Sequence, residues 1–327
     1  MGNLPAKRIQ FTRPFVHTGV DYCGPFFEKE RRHRNRNKIK CYVAVFVCLA
    51  SKATHLELVS DLTTEAFLAA LKRFFARCGK SSSLISDNAT MFEGASRELA
   101  ELQVLLLCDE HNRNIQEFLA NQRVNWSFIP PCSPHFGGLW QAGVKSFKNH
   151  LKRTEGEALL TFEQLQTYII EIEAILNSRP LSPLSSDPND CRPLTPGHFL
   201  IGEPLTNFSQ ANLTHIAVNR LSAWKHVQML RQHIWIRWHK EYLNELTTRT
   251  KWKTGSSDDI TIGSLVVMKE DNAPPLHWKL GRIILSNPGK DGVVRVVSLK
   301  TETGIYKRSV KGLCPLPIEE SVCHDSF

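Results

Sequence analysis

The chain has 327 residues, 42% of them hydrophobic and 22% charged, with seven Trp and 17 Phe; that much apolar side chain excludes wholesale disorder and a miniprotein that needs staples to fold. Lys and Arg number 41 against 32 Asp and Glu, a formal net charge of +9, so a polyanion is the first partner to consider. The most apolar run, Cys41 to Ala50, is about half of the ~20 residues a membrane helix needs, and Pro5, Lys7 and Arg8 stand where a signal peptide carries its apolar stretch, so neither membrane nor secretion is expected.

Phe15 to Phe27 and Lys40 to Leu49 are rich in Val, Phe and Tyr, as strands are, and six of the ten residues Arg31 to Lys40 are Lys or Arg. The pattern predicts a hairpin with a basic tip, open to three readings: phosphate contact, nuclear import, or a solvated turn. Thr54 to Val59 alternates as a third strand, and Thr63-Thr64-Glu65 caps a helix with Phe67, Leu68, Leu71, Phe74 and Phe75 on its apolar face, ended by Cys78-Gly79-Lys80. Leu84-Ile85 is a short strand stopping at Ser86-Asp87-Asn88. Helical stretches follow over about 94–107 and 110–122, then a strand from Val124 to Ile129. This order predicts an α/β fold, a mixed sheet with helices on its faces.

Pro130 to Gly138 holds three Pro and two Gly and is a loop. Helices are expected from Leu139 to Arg153 and from Phe162 to Ser178, the latter with Leu165, Ile169, Ile172 and Leu176 inward. Residues 181–218 are proline-punctuated and read as a wrapping segment. A long amphipathic helix, Arg220 to Thr247 within 219–250, places Leu221, Trp224, Val227, Ile234, Trp238 and Tyr242 on one stripe, with Trp235 and Trp252 off it. Such a stripe is more often core or subunit contact than a ligand box. Short strands separated by turns then spell a small β-barrel over 260–317, with 1–12 as an N-terminal extension and 318–327 as a tail.

Two acids stand where strands end or bend, Asp21 in TGVDYCGPF and Asp87 in LISDNATMF. Taken singly each fits a bland role, a turn former before Gly-Pro and a helix cap. Carboxylates on adjacent strands of one sheet can instead hold a pair of hard divalent cations about 3.5–4 Å apart and so cleave and join phosphodiesters.

The series TGVDYCGPF, LISDNATMF, WSFIPPCSPHFGGLWQAGVKSFKNHLKR, ILNSRPL and LTPGHFLIGEPL resembles the integrase of Bel/Pao-type long-terminal-repeat retrotransposons, in the retroviral integrase group, over about residues 5–317. The resemblance implies an RNase H-like catalytic core over 13–180, a helical linker, and an SH3-like barrel that binds DNA without sequence preference. It implies two strand aspartates and a helix glutamate binding two Mg²⁺ or Mn²⁺ ions, with Asp21 and Asp87 in the aspartate positions as metal ligands. The remaining implied partners are element ends, target DNA and further copies of the chain.

At the third position the family has glutamate directly after Gly-Gly-Leu-Trp, and this chain has Gln141. The amide keeps a carbonyl acceptor and loses the charge, which weakens a hard-cation site. Glu93 and Glu98 follow Asp87 too closely to substitute, and Glu155 and Glu157 stand roughly 21–24 Å further along a helix. Two readings stay open: an integrase joining element ends to target DNA, and a catalytically silent derivative that binds nucleic acid or assembles with active subunits. A host RNase H-like nuclease is a third, which needs neither ILNSRPL nor the barrel.

Lys145, Lys148 and Lys152 follow Gln141 on one helical face, which is a solvated face for an arbitrary helix and a DNA-lining stripe under the resemblance. Asn88, beside Asp87, and His135, in the proline-rich loop, join them as DNA-contacting candidates; a lone His without zinc-spaced partners is otherwise a packing residue. The barrel carries Lys269, Lys279, Arg282, Arg295, Lys300, Lys307, Arg308 and Lys311, whose alternative is surface decoration. The group's upstream His-His-Cys-Cys zinc domain has no counterpart in this sequence, an expectation of a fragment or a truncated product. Nine scattered cysteines without a C-x-x-C pair read as reduced thiols in nucleus or cytoplasm.

Overall fold

A computed structural model describes residues 12–30, 38–86, 97, 124–128, 159–185, 187–208, 210–254, 261–270, 273–290 and 294–317. The chain divides into two compact units, Met1–Leu176 and Asn177–Phe327.

In the first unit, β1 (His17–Lys29), β2 (Lys38–Cys48), β3 (Thr54–Val59), β4 (Ser83–Ser86) and β5 (Asn125–Phe128) form a sheet of order β3-β2-β1-β4-β5. The first three make an antiparallel meander; β4 runs parallel to β1, and β5 parallel to β4. Strand β6 (Leu160–Thr161) pairs with the far end of β1. The expected mixed α/β sheet is therefore present. Its centre is β1 and β2, and Val43 to Cys48 are all buried, as befits a strand covered on both faces. The basic run is shorter than expected as a turn, because Lys38-Ile39-Lys40 already belong to β2; residues 31–37 lie outside the described residues.

A bulge interrupts β1 between Cys23 and Phe26. Gly24 sits there at φ +145°, and an added Cβ would meet Tyr42 Cδ1 at 2.7 Å and the Cys41 carbonyl oxygen at 3.3 Å. Gly24→Ala should therefore cost about 1–3 kcal/mol. The measurement is hydrogen exchange at the paired amides of β1 and β2, and unaltered protection would show that the bulge relaxes without cost.

Helix α1 (Thr64–Cys78) starts at the expected cap, with Thr63 Oγ1 accepting the Ala66 N–H at 3.2 Å. It buries Phe67, Ala70, Leu71 and Phe74. Phe74 stacks on Phe46 of β2 with centroids 4.3 Å apart and meets Phe15 edge-on at 5.2 Å, contacts worth about 0.5–1.5 kcal/mol each beyond their area. Gly79, at φ +80°, ends the helix. Arg13, ahead of β1, donates to the Cys78 carbonyl at 3.1 Å and to the Lys80 carbonyl, satisfying acceptors that a helix C-terminus leaves open.

Strand β3 forms where the sequence places it, and all six of its residues are buried, the polar ones included. The physical reason is that His55 and Glu57 are met by side chains of α1 and of α2 (Phe162–Asn177).

The second unit contains the long helix α4 (Ala223–Thr254), preceded by a 3₁₀ turn at Val218–Arg220, so it begins and ends later than the sequence pattern implies. Strands β9 (Leu265–Met268), β10 (Leu280–Pro288), β11 (Val294–Thr301), β12 (Gly304–Ser309) and β13 (Leu313–Pro315) form an antiparallel sheet of order β12-β11-β10-β9-β13. Its core is Val266, Met268, Ile283, Val297, Leu299 and Leu313. The three-residue β13 was too short to register as a strand in the sequence.

The proline-punctuated segment carries β7 (Ser182–Pro183), β8 (Pro193–Leu194) and the short helix α3 (Pro196–Ile201). Within this unit, Arg231 donates to Asn207 Oδ1 at 3.2 Å and Gln210 Oε1 at 2.6 Å, and the Gln232 amide bonds the Leu213 N–H and the Ala211 carbonyl. The Tyr242 hydroxyl donates to the Pro180 carbonyl. Two sequence readings are corrected here. Trp235, placed off the stripe, is only 1% exposed, while Trp224, placed on it, is 59% exposed. Arg282, counted among surface cations, is buried, donating to the carbonyls of Asp190 at 2.7 Å and Gly263 at 2.8 Å.

Candidate active site

Asp21 lies on the central strand β1, opposite Val45 of β2. Tyr22 and Phe46 both meet Phe67 of α1. Because neighbouring strand residues point to opposite faces, Asp21 is on the face away from α1. The carboxylate is half-buried, and its Oδ1 accepts the N–H of Tyr22 at 2.7 Å. Burial, reinforced by the charge of Asp61, pushes the Tyr22 phenol well above its ordinary range, so it stays protonated.

On the other side of β1, the parallel register runs His17 to Ser83, Thr18 to Leu84 and Gly19 to Ile85. Strand β4 ends at Ser86. The remaining site candidates, Asp87, Asn88, His135, Gln141, Lys145, Lys148 and Lys152, lie outside the described residues. Asp21 supplies a hard oxygen donor of the kind Mg²⁺ or Mn²⁺ takes. Among the described residues no group of three or more His, Cys, Asp or Glu is arranged to hold a metal ion.

Two features near this strand end escape the sequence reading, which takes Ser86 only as a strand stop and Trp126 only as a strand residue. Ser86 is fully buried, and its Oγ accepts the indole N–H of Trp126 in β5 at 2.9 Å. The Trp126 ring meets Phe67 edge-on at 5.6 Å and stacks with Phe128 at 6.2 Å. A buried hydroxyl closing an apolar strand is the signal that points to such a bond.

The second unit presents cations on its sheet. Lys269, Lys279, Arg295, Lys307, Arg308 and Lys311 are exposed, although Lys279 is paired with Glu270 at 2.5 Å. All of β12 is exposed, and the Arg308 guanidinium lies 5.6 Å from the centre of the Tyr306 ring. The Trp-rich stripe is not a ligand box: Trp235, Trp238, His239 and Tyr242 close around Trp278, with centroids 4.8–5.7 Å from it. Among the described residues no helix is long and apolar enough to cross a membrane. The six described cysteines are free thiols.

A model for a family of unknown function (DUF5641) matches residues 222–316, which holds α4 and the whole antiparallel sheet. No curated protein matches the chain. Among solved structures, the chain is similar to a protein in the cryo-EM structure of the simian T-cell lymphotropic virus intasome in complex with PP2A regulatory subunit B56 gamma. The likeness has a TM-score of 0.37 and 11% identity and covers 98% of this chain and 85% of that one.

Proposed function

We propose that the chain is an integrase-type polynucleotidyl transferase of the Bel/Pao retrotransposon kind, acting on DNA ends, with catalysis depressed by Gln141. The observation that carries this reading is the position of Asp21. It lies on the central strand two residues beyond the Gly19–Ile85 pair, and Asp87 follows Ile85 by the same two residues in the sequence. Leu84 and Ser86 share the face of Trp126, toward α1, whereas Gly19 and Ile85 lie on the face of Asp21. An RNase H-like core and an SH3-like barrel fit the two sheets, and the ordered motifs from TGVDYCGPF to LTPGHFLIGEPL supply the rest of the support.

When bound, Mg²⁺ or Mn²⁺ would activate the attacking oxygen and stabilise the leaving one. The chain's own part is to hold those ions through Asp21 and Asp87 and to position the DNA. Lys145, Lys148 and Lys152, with Asn88 and His135, would contact the DNA end, and the exposed cations of the second unit would neutralise phosphates along the duplex. Gln141 offers one neutral oxygen where a glutamate would offer a charged pair. Its presence favours a second reading, a silent derivative that binds nucleic acid or assembles with active copies.

The test is strand transfer with pre-processed element ends in Mn²⁺ and in Mg²⁺, comparing the chain, its Gln141→Glu variant and Asp87→Asn. Glutamate should raise joining by about 10-fold or more, since changes merely adjoining a metal site already cost ~10–100-fold. If the chain, its Gln141→Glu variant and Asp87→Asn are equally inert, the silent reading stands; if the unmodified chain is active and already matches the glutamate variant, the amide does not depress the site.

A further inference from the structure

We infer that the two-stranded arm made by the ends of β1 and β2 is a platform for unpaired nucleic acid, with a base stacked on Phe27 and the neighbouring phosphates held by Lys29, Lys38 and Lys40. The inference goes beyond the reading above, since this surface lies on the opposite face of the sheet from Asp21 and needs no cation. Strand β3 ends where Val59 pairs with Tyr42, so Lys38 to Cys41 of β2 pair with β1 alone. In this arm Phe26 stands opposite Cys41, Phe27 opposite Lys40, Glu28 opposite Ile39 and Lys29 opposite Lys38. Ahead of the bulge the register pairs Tyr22 with Ala44 and Cys23 with Val43. Carried on without a shift, it would set Phe26 against Lys40 and Glu28 against Lys38, an opposite-charge pair. The bulge at Gly24 advances β1 by one residue and sets Lys29 against Lys38 instead. Like charges directly opposite each other destabilise a sheet, so the shift works against the arm's own stability. Burial does not account for it, because either register turns one of the adjacent phenylalanines inward and the other outward.

Alternation along β2 places Lys38 and Lys40 on the face of Phe46, the α1 side, with Lys29 and Phe27 directly across from them. Lys38 and Lys40 are exposed, Lys29 is half-buried, and Phe27 is 38% exposed. Among the described residues none of the three lysines has an acidic partner. The Lys38 ammonium lies 6.0 Å from the centre of the Phe27 ring, the outer limit of a cation–π contact, so it is weakly held and free to turn to a phosphate. Three unpaired cations around one exposed ring combine phosphate attraction with a stacking surface, the pairing by which single strands are bound without sequence preference. An acidic peptide would satisfy the lysines and leave the ring unused, and a duplex keeps its base faces stacked inside.

The experiment uses the full chain in EDTA, with an oligothymidylate of about 12 nucleotides carrying 5-iodouracil as the probe, anisotropy for affinity and ultraviolet crosslinking for the contact. An oligouridylate of the same length separates RNA from DNA as the source of the unpaired base. Phe27→Ala should weaken binding about 10-fold and abolish the crosslink to the peptide that carries residue 27, and Phe27→Tyr should restore both. Replacing Lys29, Lys38 and Lys40 together by Ala should flatten the slope of log affinity against log salt by about 2, as three single-strand phosphate contacts require. Lys38→Glu gives Lys29 an opposite charge, so it should raise hydrogen-exchange protection of the arm amides while weakening the oligonucleotide. No crosslink in the arm, or an affinity that Phe27→Ala leaves unchanged, overturns the platform. Polyglutamate or a blunt duplex that binds as tightly as the oligothymidylate, and loses as much on Phe27→Ala, also overturns it, because the occupant would then need no unpaired base. EDTA removes the divalent ions, so a chain inert in strand transfer can still bind here, and the two readings fail separately.

Discussion

Trp235→Ala should destabilise the second unit by about 3–5 kcal/mol, the range for emptying a fully buried aromatic site. Among the described residues, Trp235 is the bulkiest fully buried side chain. Its ring meets Trp278 at 5.1 Å and His239 at 5.1 Å, and its indole N–H donates to the Ala273 carbonyl at 2.7 Å. Removing it empties a ring site between the helix and the 273–278 connection and strips a buried carbonyl of its donor. Trp235→Phe, which keeps most of the ring and loses the donor, should cost about 1–3 kcal/mol.

The comparison that gives this force is Trp224 on the same helix. It is 59% exposed, so Trp224→Ala should stay within about 0.5 kcal/mol. Because the chain holds two units, a single melting temperature is not a sufficient readout. Hydrogen exchange at the amides of β13, which borders α4, isolates the unit concerned. Equal effects from the two tryptophans would show that the buried cluster is not what holds the helix to the 273–278 connection.

The contrast also shows where sequence reasoning reaches its limit. Local signals succeed for α1, because Thr63 and Gly79 act within one turn of the residues they cap. The strands β1 and β2 are legible for a similar reason: their Val, Phe and Tyr content is set by burial on a central sheet. Trp235 is misplaced because α4 is covered on more than one side, by the 207–213 segment as well as by the 273–278 connection, and a single-stripe rule fails for such a helix. Arg282 is misplaced because its acceptors, at 185, 190 and 263, lie far from it in sequence. At the candidate site, Asp21 is legible from its motif, whereas the Ser86–Trp126 bond joins residues 40 apart that only sheet formation brings together.

Glu57→Gln should destabilise the first unit by about 3 kcal/mol, because it takes from the buried His55 imidazolium one of its two carboxylates and from Arg73 and Arg77 their shared one. Glu57 is 3% exposed and His55 5%. His55 Nε2 lies 3.0 Å from Glu57 Oε1, Arg73 Nε lies 2.7 Å from Oε2, and Arg77 Nη1 lies 2.9 Å from Oε1. Glu173 of α2 faces the other side of the imidazole at 3.3 Å and accepts the Leu56 N–H at 2.7 Å, so the cluster joins β3, α1 and α2. Burial works against a charged His55, but the bonds and charges of Glu173 and Glu57 outweigh it and carry its pKa from 6.5 to about 9. Burial likewise works against a charged Glu57, yet the bonds from His55 and Arg73 hold its carboxyl below the ordinary value. Folding thus favours the protonated imidazole: its contribution is full below about 6.5 and is lost as pH rises through about 9, roughly 3 kcal/mol in all. The Glu57 contribution is full above 4.5 and is lost as pH falls through its lowered folded value. Both are complete only between those limits, so the first unit should be most stable in mildly acid solution and weaken toward pH 9. Glu173→Gln should flatten the alkaline decline while leaving the acid side in place, and Glu57→Gln should flatten both. The direct measurement is the His55 titration by nuclear magnetic resonance, beside exchange of the Leu56 amide corrected for its intrinsic pH dependence. A His55 that titrates near 6.5 in the folded chain would mean that its two carboxylate neighbours, Glu57 and Glu173, do not charge it, and the alkaline weakening would then have to vanish as well.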